Sequence, residues 1–390
     1  MLVYFVLGIA ATPAIYYLIA LYSSLSFFLR AKRSNSDSYS DFTPPVSLLK
    51  PIRGLDPEAY ENFASFCRQD YPQYEILFCV DPGDPAIAVL EKLKSDYPQC
   101  NIRLLLGSGR QVVNDKVGRL VRLTHDAQYE LFVITDSDVR VEPNYLRSVV
   151  RPFLDPKIGA ATCFYASTED KTLLETIQSI SMMSDFFAGI LVAWKLDGVK
   201  FALAQTIVTR RQHIAHFGGY EILEDRPADD LYIGRLVAEQ GLETLLLPYV
   251  VRTVPDFESP GQFFRKRVRW MTVMRHMRPA GHFGLLFTWG LPWCLVAIAV
   301  HPTVAIASGY LGCYLLLRVL MTWLIGIRGM KQAGVWKKMA LIPVWDLISF
   351  TIWMTSFGQT TIRWRGVNYL LRNGKLILRA SDSAESAQSH

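Results

Sequence analysis

Apolar residues are concentrated at the two ends of the chain. Residues 1–28 contain no charged side chain, and further apolar stretches occupy residues 283–300, 303–325 and 339–360. Because about 20 consecutive apolar residues can cross a bilayer, the pattern predicts an N-terminal transmembrane anchor and transmembrane or interfacial helices near the C-terminus. A cleaved signal peptide is the alternative for the first stretch. That stretch is longer than such a peptide, and no basic segment precedes it.

Apolar runs alternate with helical patterns in the middle of the chain. Four short apolar runs predict strands at 46–51, 74–80, 101–107 and 129–135. The segments between them predict helices at 57–69, 85–96 and 115–126. This alternation is typical of an α/β domain with a mostly parallel sheet that is covered on both faces. Ligands of such sheets bind beyond the carboxyl ends of the strands.

Three more elements are predicted after the alternation, namely a strand at 201–209, a helix at 228–240 and a strand at 244–251. Residues 172–195 have a helical pattern, but their apolar part is short for a bilayer crossing. We therefore expect this helix in the membrane interface.

The pattern divides the chain into six regions. They are an N-terminal anchor (1–30), a polar linker (31–44), an α/β domain (45–260), a basic amphipathic interface helix (261–280), transmembrane or interfacial helices (281–362), and a basic segment with a disordered tail (363–390). Arg30, Lys32 and Arg33 follow the anchor, so the positive-inside rule predicts a cytoplasmic α/β domain. Three later crossings would leave the basic segment outside, against the same rule. One of the three apolar stretches is therefore a candidate for a re-entrant or interfacial segment.

Charge and cysteine content narrow the class of protein. The net charge is +6, and much of the basic excess lies beside the apolar stretches. This placement favours contact with anionic lipid heads over nucleic-acid binding, and no nucleic-acid-binding motif is visible in the sequence. The six cysteines form no C-x-x-C pair. We expect them to fill apolar space in a reducing compartment rather than to form disulfides or a zinc site.

Two acids, Asp136 and Asp138, directly follow the fourth predicted strand in the sequence TDSD. Side chains two residues apart in an extended segment point the same way, so the two carboxylates would share one face of the strand end. Such a pair suits Mg²⁺ or Mn²⁺, which commonly binds one or two carboxylates together with substrate phosphates. The alternative is a solvated turn in which Asp138 pairs with Arg140.

Two other groups of acids lie near predicted element ends. Asp81 and Asp84 follow the second strand; they are either turn residues or acceptors for hydrogen bonds from a nucleoside. Asp229 and Asp230 open the helix at 228–240; they are either helix-capping acids or, in the case of Asp230, a general base.

The basic helix near residue 265 contains the sequence KRVRW, from Lys266 to Trp270. Arg and Trp are ordinary residues of a membrane interface. The position of this motif, between the last strand of the α/β domain and the first late span, also allows a catalytic role. Arg269 could neutralise a departing diphosphate, and Trp270 could pack against a sugar or a lipid.

Taken in order, Asp84, Asp136-Ser-Asp138, Asp230 and KRVRW resemble the signature of inverting membrane glycosyltransferases with a GT-A fold, a Rossmann-like nucleotide-sugar-binding fold. VSLLKPIRGLDP, DYPQYEILFCV, DPAI, NDK, TDSDVRV, ADDLYIGRLVAEQG and WRGVNYLLRNG are similar to segments of the ceramide glucosyltransferase family, which includes hopanoid-associated bacterial relatives. The resemblance covers about residues 46–375. Lys266 departs from the Gln or Arg of the family motif, the loop before DPAI is shorter, and a full D-x-D replaces a single Asp.

The resemblance implies a UDP-sugar donor, UDP-glucose first among them, and a ceramide-like lipid acceptor at a bacterial inner membrane. Its roles carry over as Asp138 and Asp136 for Mg²⁺ or Mn²⁺, Asp84 with Asp81 for uridine, and Asp230 as the base. Arg269 and Trp270 would complete the catalytic group. The remaining expected substrate contacts are Lys50, Arg53, Lys116, Asp229 and Lys266.

Three alternatives remain open at this point. A hopanoid could be the acceptor and N-acetylglucosamine the sugar, as in hopanoid-associated relatives. A processive polysaccharide synthase would share the acids and the RW motif, although it usually needs more spans than this chain offers. A non-catalytic scaffold on the same fold is the third alternative.

Overall fold

The computed structural model describes residues 1–34, 42–110, 112–255, 257, 259–364 and 367–378. Most of the predicted linker (35–41) and the predicted disordered tail (379–390) lie outside the described residues. The central part of the chain, residues 46–255, contains a mixed eight-stranded sheet and is called the sheet domain below.

The sheet runs in the order β3-β2-β1-β4-β7-β6-β8-β5. Its strands are β1 (Val46–Pro51), β2 (Tyr74–Val80), β3 (Asn101–Leu106), β4 (Leu131–Ile134), β5 (Val139–Arg140), β6 (Ile158–Ser167), β7 (Ile207–Arg210) and β8 (Glu243–Thr253). Strands β1 to β4 pair in parallel, as do β6 and β8, whereas β7 is antiparallel to β4 and β6. The predicted α/β class with a mostly parallel sheet is confirmed.

Helices cover both faces of this sheet, and its central strands are therefore buried on both sides. Every residue of β1 and β4 is buried. The helices of the sheet domain are α3 (Ala59–Cys67), α4 (Ala86–Asp96), α5 (Asp115–Asp126), α6 (Tyr145–Val150), α7 (Leu173–Ser181), α8 (Phe187–Asp197), α9 (Arg211–His216) and α10 (Asp229–Glu239). A π-helical turn, Met182–Phe186, joins α7 to α8.

The predicted strand at 201–209 is wrong over most of its length, because only Ile207–Arg210 joins the sheet. The preceding backbone makes other bonds. The Ala202 N–H donates to the Asp230 carbonyl (3.2 Å), and the Leu203 N–H donates to Thr162 Oγ1 (2.9 Å). The segment is therefore tied to the start of α10. Strand β6, rich in Ala and Gly at its start, was not predicted.

The apolar ends of the chain form a helical bundle. Its helices are α1 (Leu2–Ala10), α2 (Thr12–Ser34), α11 (Pro260–Met277), α12 (Pro279–Gly284), α13 (Gly290–Val300), α14 (Val304–Thr322) and α15 (Ile342–Ser356). Within the described residues, four helical segments are long and apolar enough to cross a membrane: 2–33, 173–197, 304–329 and 333–356. The bent pair 279–288 and 290–300 can count as a fifth. The predicted membrane helices are confirmed in this sense.

Polar groups connect the bundle internally. Tyr17 Oη donates to the Thr288 carbonyl (2.9 Å), and Arg318 forms a buried ion pair with Asp346, which also accepts from Tyr314 Oη (2.7 Å). Charged side chains in an apolar bundle are costly unless they are paired. This pairing accounts for the single acid in the third late apolar stretch.

A second, three-stranded antiparallel sheet follows α15. It contains β9 (Thr361–Trp364), β10 (Val367–Arg372) and β11 (Lys375–Leu378), in the order β11-β10-β9. This C-terminal sheet bonds back to the sheet domain, where the Leu376 N–H donates to the Asp225 carbonyl (2.7 Å).

Candidate active site

The D-x-D acids lie at the carboxyl end of β4, beside the end of β1. Lys50 of β1 is fully buried, and its Nζ donates to Thr135 Oγ1 (2.7 Å) and to the Asp136 carbonyl (3.0 Å). Burial lowers the pKa of Lys50 to about 7, although the nearby acids oppose this shift. The Lys50 side chain therefore stabilises the D-x-D turn by bonding to the backbone carbonyl of Asp136.

The two D-x-D carboxylates have different neighbours. Asp136 Oδ1 lies 2.9 Å from Lys116 Nζ. Burial raises the pKa of Asp138 to about 7, and Asp136 and Asp56 add to this shift while Lys266 and Lys50 oppose it. The turn alternative required a pair between Asp138 and Arg140, but Arg140 pairs with Glu58 at 2.8 Å and also bonds Asn62.

These acids fit a divalent cation that is shared with a substrate. Within the part of the chain that the structure describes, no group of three or more His, Cys, Asp or Glu side chains could hold an ion. Burial is the main cause of the raised pKa of Asp138, and the charges of Asp136 and Asp56 add to it, so a bound cation would stabilise the ionised carboxylate. Two carboxylates are the protein contribution that Mg²⁺ or Mn²⁺ takes when substrate phosphates supply further oxygens.

The first turn of α10 brings the second acid pair to the same edge. The carboxylate of Asp230 accepts from the Leu231 N–H (2.9 Å) and the Ala204 N–H (3.2 Å). Burial raises the pKa of Asp230 to about 7, with Asp229 adding to the shift and Lys116 opposing it. A carboxyl with such a pKa, held by two backbone groups, is suited to proton transfer near neutral pH.

Lys116, in the first turn of α5, connects the two acid pairs. Its Nζ lies 2.9 Å from Asp136 Oδ1 and 3.5 Å from Asp229 Oδ2. Burial acts to lower the pKa of Lys116, but Asp136, Asp229 and Asp230 outweigh it and hold the pKa above its ordinary value. The ammonium group therefore stays charged between the D-x-D turn and α10.

A chain of ion pairs extends along the edge from β2 to the loop after β1. Arg119, which is 1% exposed, pairs with Asp81 and with Asp115 (2.7 Å), and Asp115 also pairs with Arg53 (2.8 Å). Asp81 remains half exposed, with 48% of its side chain accessible. Its carboxylate is thus oriented by Arg119 and open to a ligand.

Asp84 has a more local set of bonds than Asp81. One carboxylate oxygen accepts from the Gly54 N–H (2.7 Å), and the other accepts from the Ala86 N–H (2.9 Å) at the start of α4. The side chain therefore joins the loop after β1 to this helix. It lies at the same edge of the sheet as Asp81.

The KRVRW residues lie on α11. Lys266 is placed 4.9 Å above the Phe257 ring and acts electrostatically on Asp138. Arg269 and Trp270 are half-buried and lie three and four residues further on, which is the same face of the helix. The motif thus places Lys266 near the D-x-D turn, with Arg269 and Trp270 on the same face of the helix.

Sequence reasoning missed Arg267, Asp115, Arg119 and Asp56. Arg267 is 8% exposed, donates to Ser181 Oγ (2.5 Å) and lies 5.0 Å from the Trp270 ring centre and 5.3 Å from that of Trp345. It fastens α11 to α7 and α15. The sequence did offer one signal for the two arginines. Arg119 lies on the otherwise apolar face of the amphipathic helix α5, where a charged side chain needs a partner.

The fold and the site together define a glycosyltransferase of the GT-A class. The mannosyltransferase PcManGT from Pyrobaculum calidifontis, solved in complex with GDP-Man and Mn²⁺, has a similar fold with a TM-score of 0.55 at 17% identity, over 87% of this chain and 99% of that one. The chain belongs to glycosyl transferase family 21, whose match covers residues 6–377.

Two curated relatives come from Caenorhabditis elegans. Ceramide glucosyltransferase 1 is 21% identical over 373 residues, which is 92% of this chain and 78% of that protein. Ceramide glucosyltransferase 3 is 24% identical over 243 residues, which is 60% of this chain and 52% of that protein. The second match therefore spans about half of the relative's length.

Proposed function

We propose that this protein is a membrane-bound inverting glycosyltransferase that transfers glucose from UDP-glucose to a hydroxyl group of a ceramide-like lipid. The observation that carries the proposal is the convergence of Asp136 and Asp138 with Asp229 and Asp230 at one edge of the sheet, where Lys116 pairs with Asp136 and with Asp229. The family membership and the names of the two relatives support the sugar and the lipid.

The donor would lie across the strand ends. Asp81 and Asp84 would accept hydrogen bonds from the uridine part, and Arg53 would contribute to the same region through its pair with Asp115. Lys116 and Asp229, which lie 3.5 Å apart, would contact the sugar. Lys50 would act through the backbone of the D-x-D turn.

Asp138 and Asp136 would hold Mg²⁺ or Mn²⁺. Such an ion supplies positive charge against the diphosphate as that group leaves. The similar mannosyltransferase was solved with Mn²⁺, which supports this choice of ion. Lys266 would add charge at the same place because it already acts on Asp138.

Asp230 would remove the proton from the lipid hydroxyl. The hydroxyl oxygen attacks the anomeric carbon from the face opposite UDP, the bond between that carbon and the diphosphate breaks, and the configuration inverts. The pKa of about 7 places Asp230 near the point where it can both accept and release the proton. Arg269 would neutralise charge on UDP as it departs, and Trp270 would pack against the sugar or the lipid.

The helical bundle would hold the site at the surface of a bacterial inner membrane. Lys32 and Arg33 end α2 next to the sheet domain, which favours a cytoplasmic position for that domain. Helix α11 packs against α15 of the bundle and carries Lys266, which acts on Asp138. A lipid held by the bundle would therefore lie near the acids.

Mass spectrometry of lipids made by the purified full-length protein tests the proposal. The protein would be supplied with UDP-glucose or UDP-N-acetylglucosamine, with Mn²⁺, and with ceramide or a polyol hopanoid. We expect glucosylceramide with a single β-linked glucose. In the Asp230→Asn variant the rate should fall by roughly 10²–10⁴-fold, the usual contribution of a positioned base.

Other products would point to the other candidates. A glycosylated hopanoid as the only product would replace ceramide by a hopanoid acceptor, and a polymer of sugars would indicate a processive synthase. Near-normal turnover in Asp230→Asn would contradict the assignment of the base. Failure to bind UDP-glucose in the presence of Mn²⁺ by calorimetry would favour a non-catalytic scaffold.

A further inference from the structure

The C-terminal sheet packs on the edge of the sheet domain where the acids converge. Its buried side chains are Ile362, Tyr369, Leu371 and Leu376, and Val113 and Val273 pack against them. Val113 lies just before α5, which begins with Asp115 and Lys116, whereas Val273 lies on α11 after the RW motif. One small sheet therefore contacts two of the segments that build the site.

The turn between β10 and β11 is bonded to residues 225 and 226. Lys375 Nζ lies 2.6 Å from Asp225 Oδ2, and the Leu376 N–H donates to the Asp225 carbonyl at 2.7 Å. The Arg226 guanidinium donates to the Gly374 carbonyl (3.5 Å) and to Tyr232 Oη (3.1 Å). The segment just before Asp229 and Asp230 is thus held from outside by the end of the chain.

The same segment is held from the other side by Asn114. Its Nδ2 donates to the Arg226 carbonyl (2.7 Å), and its backbone N–H donates to the Glu224 carbonyl (2.7 Å). Asn114 is fully buried and also caps α5, because its Oδ1 accepts from the Val117 N–H (3.4 Å). The turn at 374–375, residues 224–226 and the cap of α5 therefore form one continuous junction.

This junction directly precedes Lys116 and Asp229 along the chain. Asp229 lies three residues after Arg226, and Lys116 lies two residues after Asn114. Lys116 Nζ reaches both Asp136 and Asp229 only while the first turns of α5 and α10 keep their present separation. A shift of about 1 Å at such a distance removes a hydrogen-bonded ion pair.

A second contact leads from the C-terminal sheet to the uridine side of the site. Tyr369 is 4% exposed, and its phenol lies within the electrostatic reach of Arg53 and Asp115. These two residues pair with each other at 2.8 Å and continue to Arg119 and Asp81. The C-terminal sheet therefore lies beside both the ion pairs that run from Arg53 to Asp81 and the start of α10, which carries Asp230.

We propose that the C-terminal sheet is a positioning element of the glycosyltransferase site, which holds the first turn of α10 in register with the first turn of α5. The inference rests on the proposed role of Asp230 as the base. In this proposal the residues of the C-terminal sheet do not contact the donor or the acceptor. They act through Asn114 and residues 225–226, so their loss should lower the rate of transfer before it lowers the stability of the fold.

A charge exchange at the junction tests this proposal. The variants are Asp225→Lys, Lys375→Asp and the double variant that restores the pair in the opposite order. Each single variant places like charges together. For a partly exposed pair, that should lower kcat by about fivefold, with less than a twofold change in KM for the lipid and no change in Tm. The double variant should recover part of the lost kcat, because it restores the pair with residue 375 but not the pair between Asp225 and Arg226 (3.4 Å).

A matched control comes from α10 itself. Arg235 and Glu239 form an ion pair at 2.8 Å, more exposed than the junction pair and on the outer surface of the same helix. Charge reversal in Arg235→Glu removes a pair of similar length without touching the junction. We expect its kcat to equal that of the wild type.

Hydrogen–deuterium exchange gives a readout that does not depend on catalysis. Residues 112–118 and 224–231 should exchange faster in both single variants and regain protection in the double variant. Unchanged exchange in both segments, wild-type kcat in the single variants, or a double variant no better than the worse single variant would overturn the proposal. If no lipid is glycosylated by the wild type, the proposed function fails, and exchange alone decides whether the junction holds the two helices.

Discussion

The ammonium group of Lys116 lies between Asp136, at 2.9 Å, and Asp229, at 3.5 Å. The Lys116 ammonium group thus contacts one acid of each pair. The pKa values of Asp138 and Asp230 both rise to about 7, because burial and neighbouring acids outweigh the nearby lysines. At neutral pH the edge of the sheet therefore holds negative charge that costs stability, and a bound cation would relieve this cost.

This balance predicts a pH-dependent effect of Asp138→Asn. The pKa of Asp138 is raised in the folded state, so the folded protein binds more protons than the unfolded chain between about pH 4 and pH 7. Its contribution to the free energy of unfolding then falls as pH rises through this window. Without metal, we expect Asp138→Asn to have a higher Tm than the wild type at pH 7.5 and the same Tm at pH 4.

Thermal unfolding in EDTA at both pH values measures this effect. Added Mn²⁺ should raise the Tm of the wild type at pH 7.5 and leave the variant unchanged. A variant that is less stable than the wild type at pH 7.5 in EDTA would show that Asp138 makes favourable contacts instead.

At the scale of elements, the position of α10 depends on its close contact with residues 201–204. The N–H groups of Ala202 and Ala204 bond the backbone and the carboxylate of Asp230, so this segment cannot extend the sheet. Gly234 on α10 allows this close contact, because a Cβ there would overlap the backbone of Phe201 and Ala202.

Gly234→Ala should therefore push α10 away from residues 201–204. We expect a loss of about 1–3 kcal/mol in the free energy of unfolding, the usual cost of overpacking, together with slower sugar transfer because Asp230 moves. Gly309→Ala on α14 is the control, since nothing lies within 4 Å of its Cβ position. Thermal unfolding in detergent and initial rates compare the two; equal stability for both variants would contradict the close-contact argument.

At the scale of the molecule, the end of the chain returns to the sheet domain. The C-terminal sheet bonds Asp225, so both lie on the same side of any membrane, and the chain crosses an even number of times between them. Helix α15 packs beside α11, where the Phe263 and Trp345 ring centres lie 6.4 Å apart. We predict that the bent α12–α13 pair and α14 are the crossings and that α15 is the interfacial stretch, which agrees with the positive-inside rule.

Cysteine labelling in sealed vesicles tests this topology. In a background in which the exposed Cys313 is Ser, cysteines at Lys94 and Arg372 should react with an impermeant reagent from the same side. A cysteine at Pro302, between α13 and α14, should react only from the other side. Labelling of Arg372→Cys together with Pro302→Cys would mean that α15 crosses the membrane.

Local pattern was enough to predict much of this protein. The apolar runs of β1, β2 and β4, the amphipathic repeat of α5 and the apolar ends of the chain each carry their own signal, because burial imposes a period on neighbouring residues. The D-x-D acids were found in the same way, since they stand where a buried strand ends. Strand β6 was missed because its early Ala and Gly residues show no such period.

Only the tertiary structure decided which charges meet. Lys116, Asp136 and Asp229 come from three separate segments, and Lys375 reaches Asp225 from 150 residues away. The sequence by itself determined where strands, helices and acids occur, because those depend on near neighbours along the chain. The partner of each acid, and hence its pKa and its geometry, depends on contacts between distant segments, which no local pattern encodes.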